Sequence, residues 1–395
     1  MLMRIIPLAA TALAISFSAA APLHASGDSI NFGLSYIGHQ IVPNKTRFNG
    51  TTVGGLSSLD YNPATGRYLT ISDDRSKTGP ARFYELSLDL SQFQSSAVPG
   101  MAGVIFHTVT TIQQVDGGAF EKHSVDPEGM RFDSARNKIY WCDEGQRSVS
   151  GFRSPAVREM NSDGSHSREF SVPSYYAPRG SNIGILPGDN GIYNNLAFES
   201  LAISVDGATL YTATENGLVQ DSPPATILTG SRSRILSFDI ASGKSGAEYI
   251  YYIEPVAFVT ATLGGFATNG LSDFIVIGDR QFITVERSFA LDAVIPGGAS
   301  TGFTIRLYYA DARDATDVSG MESLARQSIR PVRKTLLVDL SQVKNKDGSA
   351  LALGNIEGIT LGPRFNGKNT IVLVADDNFN KHQLTQFIAL EINSD

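Results

Sequence analysis

One pattern recurs five times along this chain of 395 residues and constrains its fold more than any other feature. Each copy consists of a small or acidic opening residue, a short apolar segment, a turn, a second apolar segment and an acidic closing residue. Self-similarity of this kind is typical of repeat architectures, in which every copy is one supersecondary unit. The closing residues, which lie 70, 72, 71 and 90 residues apart, are Asp73, Asp143, Glu215, Glu286 and Asp376.

Each copy has room for about two further strands beyond this pair. In the first copy, for example, apolar segments at 82–90 and 104–113 follow the closing residue. Four short strands in a repeated unit are the signature of a β-propeller blade. We therefore predict an all-β fold, a single propeller of five four-stranded blades. A sixth blade remains possible because the fourth copy is longer than the others.

The ends of the repeat array make two more specific predictions. The fifth copy is one strand short, and the segment 30–42 supplies a spare strand, which we expect to become the outer strand of the last blade. That pairing would remove an open sheet edge. The extra length of the fourth copy lies at 311–327, where Ser319-Gly320-Met321-Glu322 has the form of a capping box and predicts a short helix.

The first residues have the pattern of a secretory signal. A basic start at Met1–Arg4 precedes an apolar run over 5–21, and Ala25 is a small residue at the expected cleavage position. We predict a signal peptide over 1–25, a propeller domain over 26–395 and a periplasmic or secreted location. A retained membrane anchor is the alternative, although no other segment approaches the length of a membrane span.

Composition excludes several classes of function. The chain has 32 Lys and Arg against 39 Asp and Glu, and this balance argues against a nucleic-acid partner, which would require a basic surface. A single cysteine excludes a disulfide framework, a CxxC redox pair and a cysteine-based zinc site. We expect a monomer that acts on a small molecule.

Antiparallel strand order predicts where the acidic residues of the repeat lie. The first strand of a blade begins at the rim where the second strand ends, so opening and closing residues share one face of the propeller. The opening acids are Glu128, Glu199, Asp273 and Glu357, and the closing residues and their neighbours are Asp73, Asp74, Asp143, Glu144, Glu215, Glu286, Asp376 and Asp377. So many carboxylates at one rim repel each other unless cations compensate.

Two kinds of compensation fit this composition. Ca²⁺ or Mg²⁺ would take oxygen ligands from these acids. Alternatively, arginines interleave with the acids, and the candidates are Arg75, Arg131, Arg280 and Arg287. The acids could also serve the fold alone, by accepting hydrogen bonds from backbone amides and tying neighbouring blades together.

Four of the five repeat units carry a recognisable set of motifs. They are Asp126-Pro127-Glu128-Gly129, Asn195–Ala202 with Thr214-Glu215-Asn216, Leu271-Ser272-Asp273 with Val285-Glu286-Arg287, and Ile356-Glu357-Gly358 with Ala375–Phe379. In these motifs the chain resembles the "esterase-like activity of phytase" family of exported bacterial proteins. The resemblance implies a propeller-like fold and a hydrolase of phosphoric or carboxylic esters. The first unit departs from the pattern, with Gly54-Gly55 where the others place an acid.

The leading hypothesis is a metal-dependent phosphoesterase or esterase with its site at the channel mouth. Its predicted catalytic residues are Glu199, Glu215 and Arg287. Its predicted Ca²⁺ or Mg²⁺ ligands are Glu128, Asp143, Glu286, Glu357 and Asp376. Its predicted substrate-binding residues are Arg75, Asp73, Asp273, Asp377 and Asn378. The alternatives are a non-catalytic propeller of the cell envelope that binds a ligand or polymer, and a lactonase-like hydrolase that uses calcium.

Overall fold

The computed structural model describes residues 32–394, so the predicted signal peptide lies outside the described part. The strands, in chain order, are β1 Phe32–Val42, β2 Arg47–Phe48, β3 Thr51–Thr52, β4 Asp60–Asn62, β5 Arg67–Ser72, β6 Arg82–Leu88, β7 Val104–Thr111, β8 Pro127–Asp133, β9 Lys138–Asp143, β10 Gln146–Ser148, β11 Gly151–Arg153, β12 Ala156–Met160, β13 His166–Glu169, β14 Phe198–Ile203, β15 Thr209–Thr214, β16 Ser231–Asp239, β17 Ser245–Ile253, β18 Ala267–Gly278, β19 Gln281–Ala290, β20 Phe303–Asp311, β21 Arg333–Asp339, β22 Asn355–Phe365, β23 Lys368–Asp376 and β24 Thr385–Ser394. Within 32–394 the helical elements are three short 3-10 turns at Leu90–Gln92, Ser174–Tyr176 and Leu340–Gln342. No helix there is long and apolar enough to cross a membrane.

Twenty of these strands form five four-stranded antiparallel sheets, which are the blades of a propeller. From the central channel outward, blade 1 is β4-β5-β6-β7, blade 2 is β8-β9-β12-β13, blade 3 is β14-β15-β16-β17, blade 4 is β18-β19-β20-β21 and blade 5 is β22-β23-β24-β1. The prediction of five blades is confirmed. The additional residues of the fourth repeat form a long loop between β20 and β21 and build no sixth blade.

The N-terminal strand closes the ring, as the repeat count predicts. β1 pairs antiparallel with β24, from Phe32 opposite Ser394 to Val42 opposite Thr385. The outer edge of β1 is covered by the β6–β7 loop, because His39 bridges Gln94. The two ends of the described chain are thus held in one sheet, and the β6–β7 loop covers part of its outer edge, which limits pairing with another molecule.

Apolar side chains fill the space between neighbouring blades. Each of the five large buried clusters joins one blade to the next; Ile283 and Ile305 of blade 4, for instance, pack with Ile359 and Leu373 of blade 5. Such close-packed layers form a stiff frame. The rim loops and strand ends are therefore held in fixed relative positions.

The short helix predicted around Ser319 is absent, and that prediction is wrong. Gly320 has a φ of +75°, which breaks a helix at that point. Asp317 accepts a hydrogen bond from the amide of Ser319, as in a capping box, but it also accepts one from Glu248 on β17. Val318 is buried in a small cluster beneath the loop. Tertiary contacts therefore hold the segment as an irregular loop.

Candidate active site

A bulge interrupts the start of every inner strand and directs one side chain toward the channel. The register of β14 with β15 skips Glu199, that of β22 with β23 skips Glu357, and that of β18 with β19 skips Ser272. Bulges commonly re-aim a side chain beside a functional site. The residues at this position in blades 1 to 5 are Ser57, Glu128, Glu199, Ser272 and Glu357.

A second ring of side chains stands where the second strand of each blade ends. The amide of Asp73 donates to the carbonyl of Gly55, and the amide of Glu144 donates to that of Asp126 in the same way. In blade 4, Arg287 lies opposite Gly270. The residues at the equivalent position in blades 1 to 5 are Asp73, Glu144, Glu215, Arg287 and Asp376.

Three of the opening and closing positions predicted from the sequence are therefore wrong by one residue. Glu144 and Arg287 occupy the closing positions that the sequence pattern assigned to Asp143 and Glu286, and Ser272 occupies the opening position assigned to Asp273. Neighbouring residues of a strand point to opposite faces, so a shift of one residue sends the side chain away from the channel.

The two displaced closing acids have partners of their own. Asp143 forms ion pairs with Arg153 at 3.3 Å and with Arg158 at 2.8 Å. Glu286 forms an ion pair with Lys334 and accepts a hydrogen bond from the Tyr251 hydroxyl. The structure therefore does not bring these two predicted metal ligands together with the others.

Asp273 lies in the channel and forms part of its floor. Its two oxygens accept hydrogen bonds of 2.9 and 2.8 Å from Arg131. The same guanidinium donates to the backbone carbonyls of Leu59, Phe274 and Ile359, which belong to blades 1, 4 and 5. This buried pair ties four blades together at the axis and closes the channel below the bulge residues.

Above this floor lies a group of carboxyl groups that we call the acidic centre. Its members are Asp73, Asp126, Glu128, Glu144, Glu199, Glu215, Glu357, Asp376 and Asp377. It contains seven of the predicted site residues, and it adds Asp126 and Glu144. Of these two, Glu144 was predicted at the rim only as the neighbour of a closing residue. Asp126 stands in one of the recognised motifs, and its position beside an opening acid was the available signal.

Two arginines are interleaved with the acidic centre. Arg287 forms ion pairs with Glu215 at 2.6 Å and with Glu357 at 2.7 Å. Arg75 forms an ion pair with Asp126 at 2.7 Å and donates a hydrogen bond to the side chain of Asn195. Two of the four predicted arginines, Arg75 and Arg287, are therefore interleaved with the acidic centre, and they leave most of its carboxyl groups without a cation in contact. Arg131 binds Asp273 in the floor instead, and Arg280 pairs with Asp279 in the turn between β18 and β19.

Burial raises the pKa of most of these carboxyl groups, and the neighbouring acids raise it further. The pKa of Asp73 rises to about 6, that of Glu144 to about 7 and that of Glu357 to about 8, although Arg287 opposes the last shift. The pKa values of Glu128 and Glu199 also lie well above the usual range for a glutamate, chiefly because of burial. Such perturbed groups in a channel mouth mark a functional-site candidate.

Three of the acids could share a metal ion. One carboxylate oxygen from each of Asp126, Glu128 and Glu144 lies within 4.8 Å of the other two. That separation is about twice a Ca²⁺–oxygen bond of ~2.3–2.6 Å, so the three oxygens fit around one hard cation. In addition, Oδ2 of Asp376 is buried without a hydrogen-bond partner among the described residues. The donor set, which consists of oxygens, fits Ca²⁺ or Mg²⁺.

The remaining predicted substrate-binding residues lie at the blade 5 edge of the acidic centre. Asp377 accepts hydrogen bonds from the amides of Gly55 and Phe379, and Asp376 accepts one from the amide of Asn378. Asn378 and Phe379 have φ angles of +48° and +50°, an uncommon conformation for residues other than glycine. The two aspartates thus hold a strained turn beside the site.

Comparisons with known proteins agree with the motifs. Residues 51–379 match the model of the phytase-like family, described as "Esterase-like activity of phytase". No curated protein is significantly similar to the chain in sequence.

Solved structures resemble the chain only distantly. One is the Dos1 propeller, with 8% identity, a TM-score of 0.35, and coverage of 85% of this chain and 68% of that one. Another is hydrazine synthase from Kuenenia stuttgartiensis, with 13% identity, a TM-score of 0.34 and coverage of 86% and 98%. A third is a thermostable family-43 glycoside hydrolase, with 12% identity, a TM-score of 0.45 and coverage of 88% and 92%. Likeness at this level carries no argument about function.

Proposed function

The chain belongs to the phytase-like family, and from this premise we propose that it is an exported hydrolase of phosphoric or carboxylic esters that acts at the acidic centre. Buried carboxyl groups from blades 1, 2, 3 and 5 converge on the channel mouth above the Arg131–Asp273 floor, and blade 4 contributes Arg287. This convergence is the observation that carries the proposal. A purely structural role would require a partner for each acid. The carboxylate of Glu199, however, accepts no hydrogen bond from a described residue. Glu199 is nevertheless buried, with only 5% of its surface exposed.

A divalent cation fits this proposal. Asp126, Glu128 and Glu144 would hold Ca²⁺ or Mg²⁺. When bound, such an ion supplies charge for an anionic substrate and lowers the pKa of a bound water. In this role the cation also relieves the mutual repulsion of the carboxylates that hold it.

The remaining residues have separable roles. Arg287 presents a buried guanidinium to the mouth, and Glu215 and Glu357 hold its orientation by ion pairs. It would bind and position the anionic oxygen of an ester or phosphate group. Burial raises the pKa of Glu199, so it keeps its proton to a higher pH than an exposed glutamate, and we assign it the role of general acid or base.

Metal analysis of the purified chain combined with an ester screen tests the proposal. We expect bound Ca²⁺ or Mg²⁺ and hydrolysis of p-nitrophenyl phosphate, p-nitrophenyl acetate or a lactone that a chelator abolishes. Glu128→Gln and Glu199→Gln should lower the rate at least about a hundredfold. Glu121→Gln is the matched control, because this acid lies exposed on a loop of the same face. Unchanged rates in both site variants, or no turnover with any ester, would contradict the proposal.

A non-catalytic propeller that binds a ligand at the cell envelope is the second candidate. The observation in its favour is that Arg75 and Arg287 already neutralise part of the acidic centre. Metal binding without turnover in the same screen would favour this function.

Export rests on the sequence pattern of residues 1–25 alone. We expect the full chain in the periplasm or medium of a bacterial host, and a chain that starts at Ser26 behind an initiator methionine in the cytoplasm. Equal distribution of the two forms between the fractions would contradict export.

A further inference from the structure

Large apolar side chains are exposed on one side of the channel mouth. Six of them, which we call the apolar arc, are between 64% and 103% exposed: Ile185, Leu228, Val259, Leu263, Phe266 and Val294. They belong to the rim loops of blades 3 and 4. Exposed apolar residues are ordinary when scattered singly, whereas a contiguous group marks a binding surface.

Backbone hydrogen bonds join the loops that carry the apolar arc to one another. The amide of Val219 donates to Gly191 in the loop that carries Ile185, and the amide of Val256 donates to Thr226 near Leu228. The amide of Leu291 donates to Phe266, which links the last two loops. The segments 215–230, 254–266 and 291–302 contain no lysine or arginine.

The apolar arc adjoins the acidic centre directly. The loop that carries Val259, Leu263 and Phe266 leads into β18, where Gly270 faces Glu215 so closely that an added Cβ would lie 2.3 Å from its side chain. In the same loop, the amide of Ala257 donates to Ser288, the neighbour of Arg287. The loop that carries this part of the apolar arc is therefore anchored beside Glu215 and Arg287.

The other side of the channel mouth carries cationic and polar side chains. A groove of about 470 Å³ lies at the junction of blades 5 and 1, which is across the axis from blade 3. Lys45, Lys381, Asn44 and the ring of Phe379 line it, and Asp377 connects it to the acidic centre. The groove therefore offers two cations and an aromatic surface where the arc offers only apolar side chains.

We propose that the site takes amphiphilic phosphate esters: the phosphate lies in the lysine-lined groove, where Asp377 borders the acidic centre, and the alkyl chain extends across the mouth to the apolar arc. This inference rests on the proposed function and narrows its substrate class. Burial of each further methylene group is favourable, so affinity should rise with chain length.

Calorimetric titration with dodecyl phosphate, butyl phosphate and inorganic phosphate, below micelle formation, tests the inference without requiring turnover. We expect dodecyl phosphate to bind at least about tenfold more tightly than butyl phosphate. The double variant Leu263→Asp, Phe266→Asp should abolish this difference. The double variant Lys45→Glu, Lys381→Glu should weaken all three ligands by a similar factor.

Val205→Asp is the matched control, because Val205 is 76% exposed in the hairpin between β14 and β15, on the opposite face of the propeller. Equal affinities for the two alkyl phosphates, or an equal loss in the Val205 variant, would overturn the inference while leaving hydrolysis of short esters possible. Conversely, chain-length-dependent binding without any ester hydrolysis would support the amphiphile site and reject the proposed function.

Discussion

Glu128, Glu199 and Glu357 stand at equivalent positions in three blades, and their serine counterparts stand in the other two. Ser57 donates a hydrogen bond to Glu128, so the short side chain of blade 1 serves the acid of blade 2. Three glutamates and two serines leave space at the channel mouth that five glutamates would fill. The departure of the first repeat from the acidic pattern thus gives the mouth an asymmetric shape.

Stability of the metal-free chain should depend on pH in the direction set by these acids. Glu144 and Glu357 keep their protons to about pH 7 and 8 when folded, but only to near 4.5 in the unfolded chain. The folded state therefore binds more protons between pH 5 and 8, and the free energy of unfolding falls as pH rises. We expect the Tm in chelator to drop by several degrees over this range.

Added Ca²⁺ should reverse that loss, and more strongly at pH 8 than at pH 5, because protons and metal compete for the same oxygens. Scanning calorimetry at the two pH values measures both effects, and Glu357→Gln should flatten the profile without metal. A Tm in chelator that rises from pH 5 to pH 8 would refute the assignment of raised pKa values.

Loss of the Arg287 cation should be costly at neutral pH. Arg287→Met leaves Glu215 and Glu357 buried without their partner, and breaking a buried pair of this kind costs about 3–5 kcal/mol. Arg67→Met, which removes an exposed pair with Glu85, is the control and should cost less than about 1 kcal/mol. Urea unfolding compares the variants, and equal losses would show that Arg287 is not integral to the centre.

At the scale of elements, the bulge decides what each inner strand presents to the channel. It inserts one residue, so Glu199 turns inward while the following small residue lets the neighbouring strand approach. A Cβ on Gly129 would lie 2.7 Å from the backbone of Leu201, and one on Gly358 would lie 2.8 Å from that of Leu59. In blades 2 and 5, glycine after the bulge residue is therefore required by the close approach of the neighbouring inner strand.

The closing strand allows a test at the same scale. A chain that begins at Asn44 lacks β1, so the edge of β24 is left unpaired and exposed. We expect it to aggregate in size-exclusion chromatography with light scattering, whereas a chain that begins at Phe32 stays monomeric. A synthetic peptide of residues 32–42 should restore the monomer by strand addition. A monomeric truncated chain with an unchanged Tm would show that closure contributes little.

The sequence predicted these elements to different degrees. The repeat supplied the number of blades and the partner of β1, because hydrophobic alternation and turn chemistry are local signals. The repeat pattern placed Asp143, Glu286 and Asp273 at positions that a neighbouring residue occupies in the structure. A bulge adds one residue to a strand, and the composition of the segment does not show it. The sequence also predicted a helix near Ser319 from a capping-box pattern, but this segment is a loop in the structure.

For the whole molecule, the Arg131–Asp273 pair is the feature that joins the ring at its axis. Both side chains are buried, and the guanidinium contacts carbonyl groups from four blades. A pair in this position specifies how the inner strands meet and separates the mouth from the far end of the channel.

Removing one partner of this pair should destabilise the propeller as a unit. Arg131→Met leaves the Asp273 carboxylate buried and should cost about 3–5 kcal/mol, whereas the double variant Arg131→Met, Asp273→Leu should recover most of that loss. Chemical unfolding of the two single variants and the double variant gives the coupling energy. Additive losses would show that the two residues act independently.

The sequence by itself determined the propeller class, the number of blades, the strand that closes the ring and the family, because these depend on patterns that repeat along the chain. It also located an acidic rim, since opening and closing residues of antiparallel strands must share one face. Only the tertiary structure decided which acid of each neighbouring pair faces the axis. That choice depends on bulges and on Arg131, whose partner Asp273 lies 142 residues away in the chain, and no local pattern records a contact at such a distance.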